Sequence, residues 1–285
     1  MIINTKIDGR VVLLNYTYEP KYISKISDLT MMGIGMKYQV NFGGVIPIST
    51  VDWYGKAVSV IFFRRCPLKC TYCQNHVLLD GDDHRDLGEV KGLISKSSKF
   101  IDGVVFTGGE PFGQYEALKQ LARFTKGLSL LVGVETNGFY PDRIENILGE
   151  ELVDKIFLDI KAPLTEPGLY EKISGTSNVV DKVKESLHVC NGEVDLELRT
   201  TVFRGLIGAG EVEKIAEDIA TINCEYVIQQ GIPDKAWDET LRDIKEYDRD
   251  ELLKIAKSAI RHLKNVKIRS KEPEISISSD TFQDS

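Results

Sequence analysis

Three cysteines, Cys66, Cys70 and Cys73, stand close together in the sequence with the spacing C-x3-C-x2-C. Thiolates are soft ligands suited to iron–sulfur clusters, and a compact loop can wrap three of them around one cubane. Three ligands leave one iron without a protein ligand, and an open metal position is where substrate chemistry can occur. The spacing therefore predicts a 4Fe–4S cluster with one open iron.

A zinc site is the alternative for these cysteines. Structural zinc takes four ligands, so His76 or His84 would have to supply the fourth. The rest of the chain offers no second pair of ligands at zinc spacing, which favours the cluster. The other two cysteines, Cys190 and Cys224, are isolated, and we expect both to be buried structural thiols.

Polar motifs follow three predicted strands further along the chain. The first, TGGEP at 107–111, joins glycines that let the backbone approach a ligand with a carboxylate suited to an ammonium group. The second is ETNG at 135–138, and the third is FLDIK at 157–161, in which Asp159 and Lys161 share one strand face. Each motif also has a purely structural interpretation: a turn, a strand-ending turn, and a salt bridge between Asp159 and Lys161.

These motifs need strands whose ends lie together. Six short runs rich in Val, Ile or Phe predict strands buried on both faces: Ala57–Phe63, Gly103–Thr107, Ser129–Thr136, Lys155–Ile160, Asp195–Val202 and Glu225–Gln229. Amphipathic stretches between and after them predict helices, at about Leu87–Ser98, Gln114–Thr125, Asp142–Leu148, Val179–Cys190, Glu211–Thr221 and Arg249–Lys264. The alternation predicts an α/β fold with parallel strands joined by right-handed crossovers. Six units fall short of the eight in a closed barrel, so we predict a partial (β/α)6 parallel barrel with the motifs on its carboxyl-end rim.

The flanking segments differ from this repeating pattern. We expect residues 1–50 to form an N-terminal extension, residues 51–270 the main domain and residues 271–285 a polar C-terminal tail. The extension contains a β-like run at Arg10–Tyr16 and a stretch rich in glycine and methionine at Met31–Met36.

Charge and hydropathy exclude several function classes. The formal charge, 36 − 43 = −7, gives no general attraction to a phosphate backbone, which argues against a nucleic-acid substrate. The chain has no apolar run of about 18 residues and no signal-peptide pattern at its N-terminus, so we predict a cytoplasmic protein without a membrane span.

The cysteine loop, with the aromatic Tyr72 directly before its last cysteine, resembles that of the radical S-adenosylmethionine superfamily. The resemblance implies that the amino and carboxylate groups of S-adenosylmethionine chelate the open iron. It also implies that reductive cleavage of this cofactor yields a 5′-deoxyadenosyl radical. The GGE segment at 108–110 is similar to the family motif that binds the cofactor's amino group. By this resemblance, cofactor contacts fall on Tyr72, Gly108, Gly109, Glu110, Glu135, Thr136, Asn137, Asp159, Lys161 and Arg199.

The motifs at 135–138 and 157–161 resemble the D-T-N-G and D-L-K segments of the activating enzymes of glycyl-radical enzymes. There a monovalent cation can lie beside the cofactor carboxylate. Its ligands here would be Glu135, Thr136, Asp159 and the carbonyl of Phe157, with Glu135 one methylene longer than the usual aspartate.

Further segments resemble the activating proteins of anaerobic ribonucleoside-triphosphate reductase: DWYG at 52–55, ELRTTV at 197–202 and QQG at 229–231. The alternative for Arg199 is an internal pair with a glutamate. One departure is Arg65, which stands before the first cysteine where that family usually has glycine.

The leading hypothesis is therefore a radical S-adenosylmethionine enzyme that abstracts hydrogen from a glycine Cα of a partner protein such as an anaerobic ribonucleotide reductase. A laterally open barrel suits a protein substrate. The resemblance implies a glycyl-radical enzyme as partner and a low-potential electron donor such as flavodoxin or ferredoxin. The alternative is a radical enzyme acting on a small molecule or an RNA base. A non-enzymatic iron–sulfur carrier or a zinc module would leave the rim motifs unexplained.

Overall fold

The computed structural model describes residues 4–7, 10–13 and 38–278, and the chain divides into two compact units, Met1–Met36 and Lys37–Ser285. In the first unit, β1 (Asn4–Ile7) pairs antiparallel with β2 (Arg10–Leu13). The strand β2 covers the first part of the β-like run at Arg10–Tyr16. The glycine- and methionine-rich stretch at Met31–Met36 lies outside the described residues.

The second unit is built on one large sheet. Its strands are β3 (Gln39–Ser49), β4 (Val58–Phe63), β5 (His84–Asp86), β6 (Gly103–Gly108), β7 (Leu131–Thr136), β8 (Lys155–Asp159), β9 (Asp195–Val202), β10 (Glu225–Gln230), β11 (Asn265–Arg269) and β12 (Ile275–Ser278). Among the described residues, the order across the sheet is β12-β11-β10-β9-β8-β7-β6-β4-β3-β5. The run from β4 to β11 is parallel throughout, and the linear order leaves β12 and β5 at opposite ends.

This topology confirms the predicted α/β fold with a partial parallel barrel. All six predicted strands are present, and neighbours in sequence are neighbours in the sheet from β6 to β10. Their central residues are almost completely buried, as expected of strands covered on both faces.

The two ends of the sheet differ from the expectation. Strand β3 pairs antiparallel with β4, so residues that we assigned to an extension ending at residue 50 belong to the main sheet. At the other end, the last helix stops before Lys264, and β11 follows with Val266 and Ile268 buried. The segment expected to be a polar tail begins with β12, which pairs antiparallel with β11. Both additions pair with strands that would otherwise be exposed sheet edges.

Helices connect the strands: α1 (Leu87–Ser97), α2 (Tyr115–Gly127), α3 (Pro141–Gly149), α4 (Pro167–Ser174), α5 (Val179–Cys190), α6 (Ala209–Asp218) and α7 (Arg249–Ala259). Six of them match the predicted helices, with ends displaced by a few residues, whereas α4 was not predicted. No helix in the part of the chain that the structure describes is long and apolar enough to span a bilayer.

The helices pack on the sheet through single apolar stripes. In α2 the predicted stripe of Ala117, Leu118, Leu121 and Ala122 is buried, with Leu118 fully inaccessible. These residues belong to one core shared by the helices and the sheet. The helices thereby fix the strands, and the strands fix the loops at their carboxyl ends.

The core position of Leu118 gives a direct test of this packing. We expect Leu118→Ala to lower the free energy of unfolding by about 2–5 kcal/mol, because it removes buried methyl groups and leaves a cavity. Leu128, at the end of the same helix, is 37% exposed. The matched change Leu128→Ala should cost about 0.5 kcal/mol or less. Denaturant titration of both variants measures the difference, and equal losses would contradict this assignment of the core.

Candidate active site

A cavity of about 520 Å³ lies at the carboxyl ends of the parallel strands. The cysteines Cys66, Cys70 and Cys73 line it together. The other predicted site residues in its lining are Tyr72, Gly108, Gly109, Glu135, Thr136, Asn137, Asp159, Lys161 and Arg199. The structure thus brings together residues that are spread over nearly half of the sequence.

Backbone hydrogen bonds from Gly109 and Glu110, the two residues after β6, hold the start of the cysteine loop. The N–H of Gly109 donates to the carbonyl of Phe63 at 2.8 Å, and the N–H of Glu110 donates to the carbonyl of Arg65 at 2.8 Å. A methyl group on Gly108 would lie 2.4 Å from the carbonyl oxygen of Phe63, and one on Gly109 would lie 2.0 Å from that of Arg65. Only glycine therefore permits these two backbone hydrogen bonds.

The residue before the first cysteine has an unusual backbone conformation. Arg65 has φ of 69°, in the left-handed region that glycine adopts at little cost. Its guanidinium forms an exposed ion pair with Asp82 at 2.9 Å. The resemblance leads one to expect glycine here, and glycine would adopt this backbone conformation at little cost. Arg65 adopts the same conformation, and its side chain is directed to the surface carboxylate of Asp82.

The helix α4, which the sequence analysis missed, supports the middle of the cysteine loop. The N–H groups of Lys69 and Thr71 donate to the carbonyls of Ser174 and Ile173, at 2.8 and 3.0 Å. These carbonyls belong to the last turn of α4, where no intrahelical donor is available. Gly175 ends the helix with φ of 63°, and a methyl group there would lie 2.5 Å from the carbonyl oxygen of Lys69.

The thiol of Cys70 is buried, and those of Cys66 and Cys73 are partly buried. Burial raises the pKa of the Cys66 and Cys73 thiols, and it raises that of Cys70 to about 11, although Lys161 opposes the shift at all three. The Cys66 sulfur accepts hydrogen bonds from the N–H of Leu68 and from the side-chain amide of Asn137, both at 3.4 Å. Thiols of this kind stay protonated until a metal displaces the proton, so metal binding and deprotonation are coupled here.

The donor set fits a cubane better than zinc. In the described residues, no three His, Cys, Asp or Glu side chains converge as they would around a single ion. A cubane instead spreads its cysteine ligands over separate corners. His76 contacts the carbonyl of Cys73 through its Nδ1 atom at 3.1 Å, and His84 lies 3.6 Å from Asp82. Neither histidine is among the residues that line the cavity.

Glu110 lies outside this lining and connects the ends of β6 and β7. Its carboxylate accepts hydrogen bonds from the N–H of Phe112 at 3.1 Å, the hydroxyl of Thr136 at 2.9 Å and the N–H of Asn137 at 2.8 Å. It is 1% exposed, and burial raises the pKa of Glu110 to about 7 against the effect of these donors. In this structure Glu110 therefore links the ends of β6 and β7 through hydrogen bonds.

Lys161 provides a buried positive charge beside the cysteines. Its Nζ atom lies 3.0 Å from the carboxylate of Asp159, and its backbone N–H donates to the hydroxyl of Tyr170 at 3.3 Å. Burial is the largest single influence and lowers the pKa of the Lys161 ammonium. Asp159 and the neighbouring Cys70 and tyrosine side chains together outweigh burial and raise the pKa above its ordinary value. A permanent ammonium group lining a cavity is suited to binding a carboxylate.

Arg199 is the second buried cation of the site. Its guanidinium forms ion pairs with Glu135 at 2.5 Å and with Glu197 at 2.6 Å, and it lies 4.1 Å above the ring of Phe157. The internal pairing that the sequence left open is therefore present. Arg199 also lines the cavity, so pairing and ligand contact do not exclude each other.

The far wall of the cavity contains a polar atom without a partner. The Oε1 atom of Gln230 is buried and accepts no hydrogen bond from any described residue, while its amide donates to the carbonyl of Gly231 at 2.8 Å. Buried acceptors are rarely left unpaired, so this atom fits a donor on a bound ligand. The ring of Tyr72 is stacked on Phe203 and offers an apolar surface nearby in the same lining.

The sequence analysis missed the lining residues at the carboxyl end of β11 and in the segment between β10 and α7. Glu246, Arg269, Ser270 and Lys271 all border the cavity, and Lys271 pairs with Glu246 at 2.8 Å. The alternation of Val266 and Ile268 with polar residues was the available signal for β11, and its carboxyl end would have led to the last three of these positions.

Comparison with known proteins identifies the fold and its chemistry. The family model described as the radical SAM superfamily matches residues 60–221. A protein of Methanocaldococcus jannaschii, provisionally named a glycyl-radical enzyme activating enzyme, is 30% identical over 231 residues, covering 80% of this chain and 95% of the relative. The pyruvate formate-lyase-activating enzyme of Clostridium pasteurianum is 29% identical over 109 residues, covering 36% of this chain and 45% of the relative.

Solved structures share the fold at low sequence identity. A radical SAM methyltransferase from Sphaerobacter thermophilus superposes with a TM-score of 0.64 at 16% identity, covering 78% of this chain and 68% of that chain. SuiB from Streptococcus suis superposes with a TM-score of 0.57 at 13% identity, covering 73% of this chain and 47% of that one.

The cysteine loop gives a prediction about metal content. Anaerobic reconstitution should load about four irons and about four sulfides per chain, because the three cysteines of the loop supply the ligands. Cys66→Ala, Cys70→Ala and Cys73→Ala should each abolish cofactor cleavage and lower iron content. Cys190→Ala and Cys224→Ala change thiols outside the cavity lining and should leave both unchanged. A protein that binds zinc without inorganic sulfide would refute the assignment.

The contact between α4 and the cysteine loop gives a second prediction. Gly175→Ala should lower the free energy of unfolding by about 1–3 kcal/mol and speed cluster loss under a chelator, because the new methyl group meets the loop carbonyl. Gly192 has φ of 83° and nothing within 4 Å, so Gly192→Ala carries the backbone cost without the contact. Visible absorbance of the cluster follows its loss over time. Equal loss rates in the two variants would show that the contact has no role.

Proposed function

Because this chain belongs to the radical SAM superfamily, whose members use a 4Fe–4S cluster and S-adenosylmethionine, we propose that it activates a glycyl-radical enzyme by abstracting hydrogen from a backbone glycine. The observation that carries the proposal is the match to the Methanocaldococcus jannaschii relative, which extends over 95% of that relative's length. Since the match also covers 80% of this chain, the similarity is not limited to the cysteine loop.

The cavity supports this assignment of the cofactors. Cys66, Cys70 and Cys73 would hold the cluster, and the thiols line one wall of the cavity. When bound, the cluster and S-adenosylmethionine supply the electron and the carbon radical that removes a hydrogen atom from the substrate. The protein itself contributes binding, orientation and exclusion of water.

The charged residues of the wall suit the two charged ends of the methionine moiety. Lys161 offers a permanent ammonium to a carboxylate, and Asp159 offers a partly exposed carboxylate to an amino group. Gly108 and Gly109 bring backbone groups close to the same space. Tyr72 and the unpaired Oε1 of Gln230 provide an apolar face and an acceptor for the nucleoside end.

The open sheet supports a protein substrate. In the part of the chain that the structure describes, the strand order ends at β12 and β5, which do not pair with each other. A peptide loop needs such lateral access to reach the reacting carbon. We therefore propose a backbone glycine in a partner protein as the site of hydrogen abstraction. An anaerobic ribonucleotide reductase is the partner that the sequence resemblance favours. A flavodoxin or ferredoxin would be the electron donor.

A second candidate function is a radical reaction on a small molecule. The 7-carboxy-7-deazaguanine synthase of Methanocaldococcus jannaschii is 28% identical over 107 residues, but the match covers only 32% of this chain. That share is much smaller than the 80% covered by the match to the Methanocaldococcus jannaschii relative named for glycyl-radical enzyme activation, so this candidate stays second.

The glycine hypothesis predicts a persistent protein radical. The reconstituted protein, reduced anaerobically with S-adenosylmethionine and a glycyl-radical protein from the same genome, should give an electron paramagnetic resonance doublet on the partner. Deuteration of the partner's glycine Cα should collapse the doublet and transfer label to 5′-deoxyadenosine. Cys70→Ala is the negative control and Cys224→Ala the positive one. Cofactor cleavage without a radical on any such partner would favour the small-molecule candidate, as would the absence of such proteins from the genome.

A further inference from the structure

The residues that the family resemblance assigns to a monovalent cation are already occupied by protein groups. One oxygen of Glu135 pairs with the guanidinium of Arg199 at 2.5 Å, and its other oxygen accepts a hydrogen bond from the hydroxyl of Thr107 at 2.5 Å. The carboxylate of Asp159 pairs with the ammonium of Lys161 at 3.0 Å. Each acid of the expected cation site therefore has its own permanent counter-ion.

One of the two neutral ligands of that site, the hydroxyl of Thr136, is also engaged. The hydroxyl of Thr136 donates to Glu110 at 2.9 Å and accepts from the N–H of Gly138 at 3.1 Å. An ion placed among these oxygens would lie beside two fixed positive charges, Arg199 and Lys161, in a buried space where repulsion is strong. The residues present do not fit a monovalent cation.

Several contacts hold the guanidinium of Arg199 in place beside Glu135. Its Nε atom donates to Glu197 at 2.6 Å, and its Nη2 atom donates to the carbonyl of Asp52 at 3.4 Å. The ring of Phe157 supports the plane of the guanidinium at 4.1 Å. The side chain is nearly buried, yet it lines the cavity.

The guanidinium retains donors for a ligand. It has five N–H groups, of which one each is directed to Glu135, Glu197 and the carbonyl of Asp52. The other two have no partner among the described residues. A planar group with free donors facing a cavity is well suited to a carboxylate.

The length of Glu135 explains why this pairing is available. Glu135 on β7 is in register with Phe157 on β8, which is in register with Glu197 on β9, two residues before Arg199. Adjacent strands lie about 4.8 Å apart, so side chains on β7 and β9 must span roughly 10 Å across β8. The side chain of glutamate is one methylene longer than that of the aspartate in the resembled motif, and the long side chain of Arg199 spans the remaining distance.

We propose that the guanidinium of Arg199 takes the place of the monovalent cation: it neutralises Glu135 and offers its free N–H groups to the carboxylate of S-adenosylmethionine. Binding of the cofactor then needs neither sodium nor potassium. The inference rests on family membership and on the buried ion pairs. It holds whether the substrate is a protein glycine or a small molecule, so the glycyl-radical experiment and the present one can fail independently.

The test is the dissociation constant of S-adenosylmethionine on the reconstituted protein without reductant, measured by calorimetry. The titrations use sodium, potassium or tetramethylammonium chloride at one ionic strength. The wild-type protein should bind equally in all three. Arg199→Met should weaken binding about ten- to hundredfold in tetramethylammonium, and sodium or potassium should restore part of the loss.

A control variant and a direct search for a bound cation test the proposal further. Lys155→Met removes another cation that faces Glu197 at 3.6 Å, outside the cavity lining, and should create no response to sodium or potassium. If Arg199→Met does not fold, thallium-205 nuclear magnetic resonance of the wild-type protein decides, with no specifically bound thallium expected. Wild-type binding that sodium or potassium strengthens about tenfold, a specific thallium signal, or a folded Arg199→Met without cation response would each overturn the proposal.

Discussion

The close contact between the end of β4 and the end of β6 is the constraint on which the site depends. Gly108 and Gly109 let two backbone segments hydrogen-bond at a separation that any side chain would block. The cysteine loop starts from this contact, and Glu110 continues it to the end of β7 through Thr136 and Asn137. Asn137 in turn donates to the sulfur of Cys66, which completes a path from the glycines back to the metal ligands.

Charge is distributed over the same rim in matched pairs. Asp159 faces Lys161, while Glu135 and Glu197 face Arg199. Lys161, Arg199 and Glu197 are buried, whereas the carboxylate of Asp159 is partly exposed. An unpaired charge would be costly in such a place, whereas paired charges with spare donors can accept a further ligand. The charged groups of the cavity wall are therefore already arranged to bind a zwitterionic molecule.

The sequence allowed the repeating part of the fold and the grouping of three cysteines in one loop at a strand end to be predicted, because both depend on local patterns. The buried strands show as short apolar runs, and the cysteines show by spacing. Helix α4 was missed because it is only eight residues long and begins with Pro167 and Gly168, which weaken any helical pattern. Strand β3 contains Gly43, Gly44 and Pro47, which interrupt its alternation. The partners of Glu110 and Arg199 depend on tertiary contacts, which no local pattern records.

The hydrogen bonds from Lys69 and Thr71 to the end of α4 have a consequence for how the loop can vary in sequence. Both join backbone atoms, so any residue except proline can supply the N–H group at these two positions. The side chains between the cysteines can therefore change while the loop keeps its attachment to the helix. Gly175 has no such freedom, because a methyl group there would lie 2.5 Å from the carbonyl oxygen of Lys69.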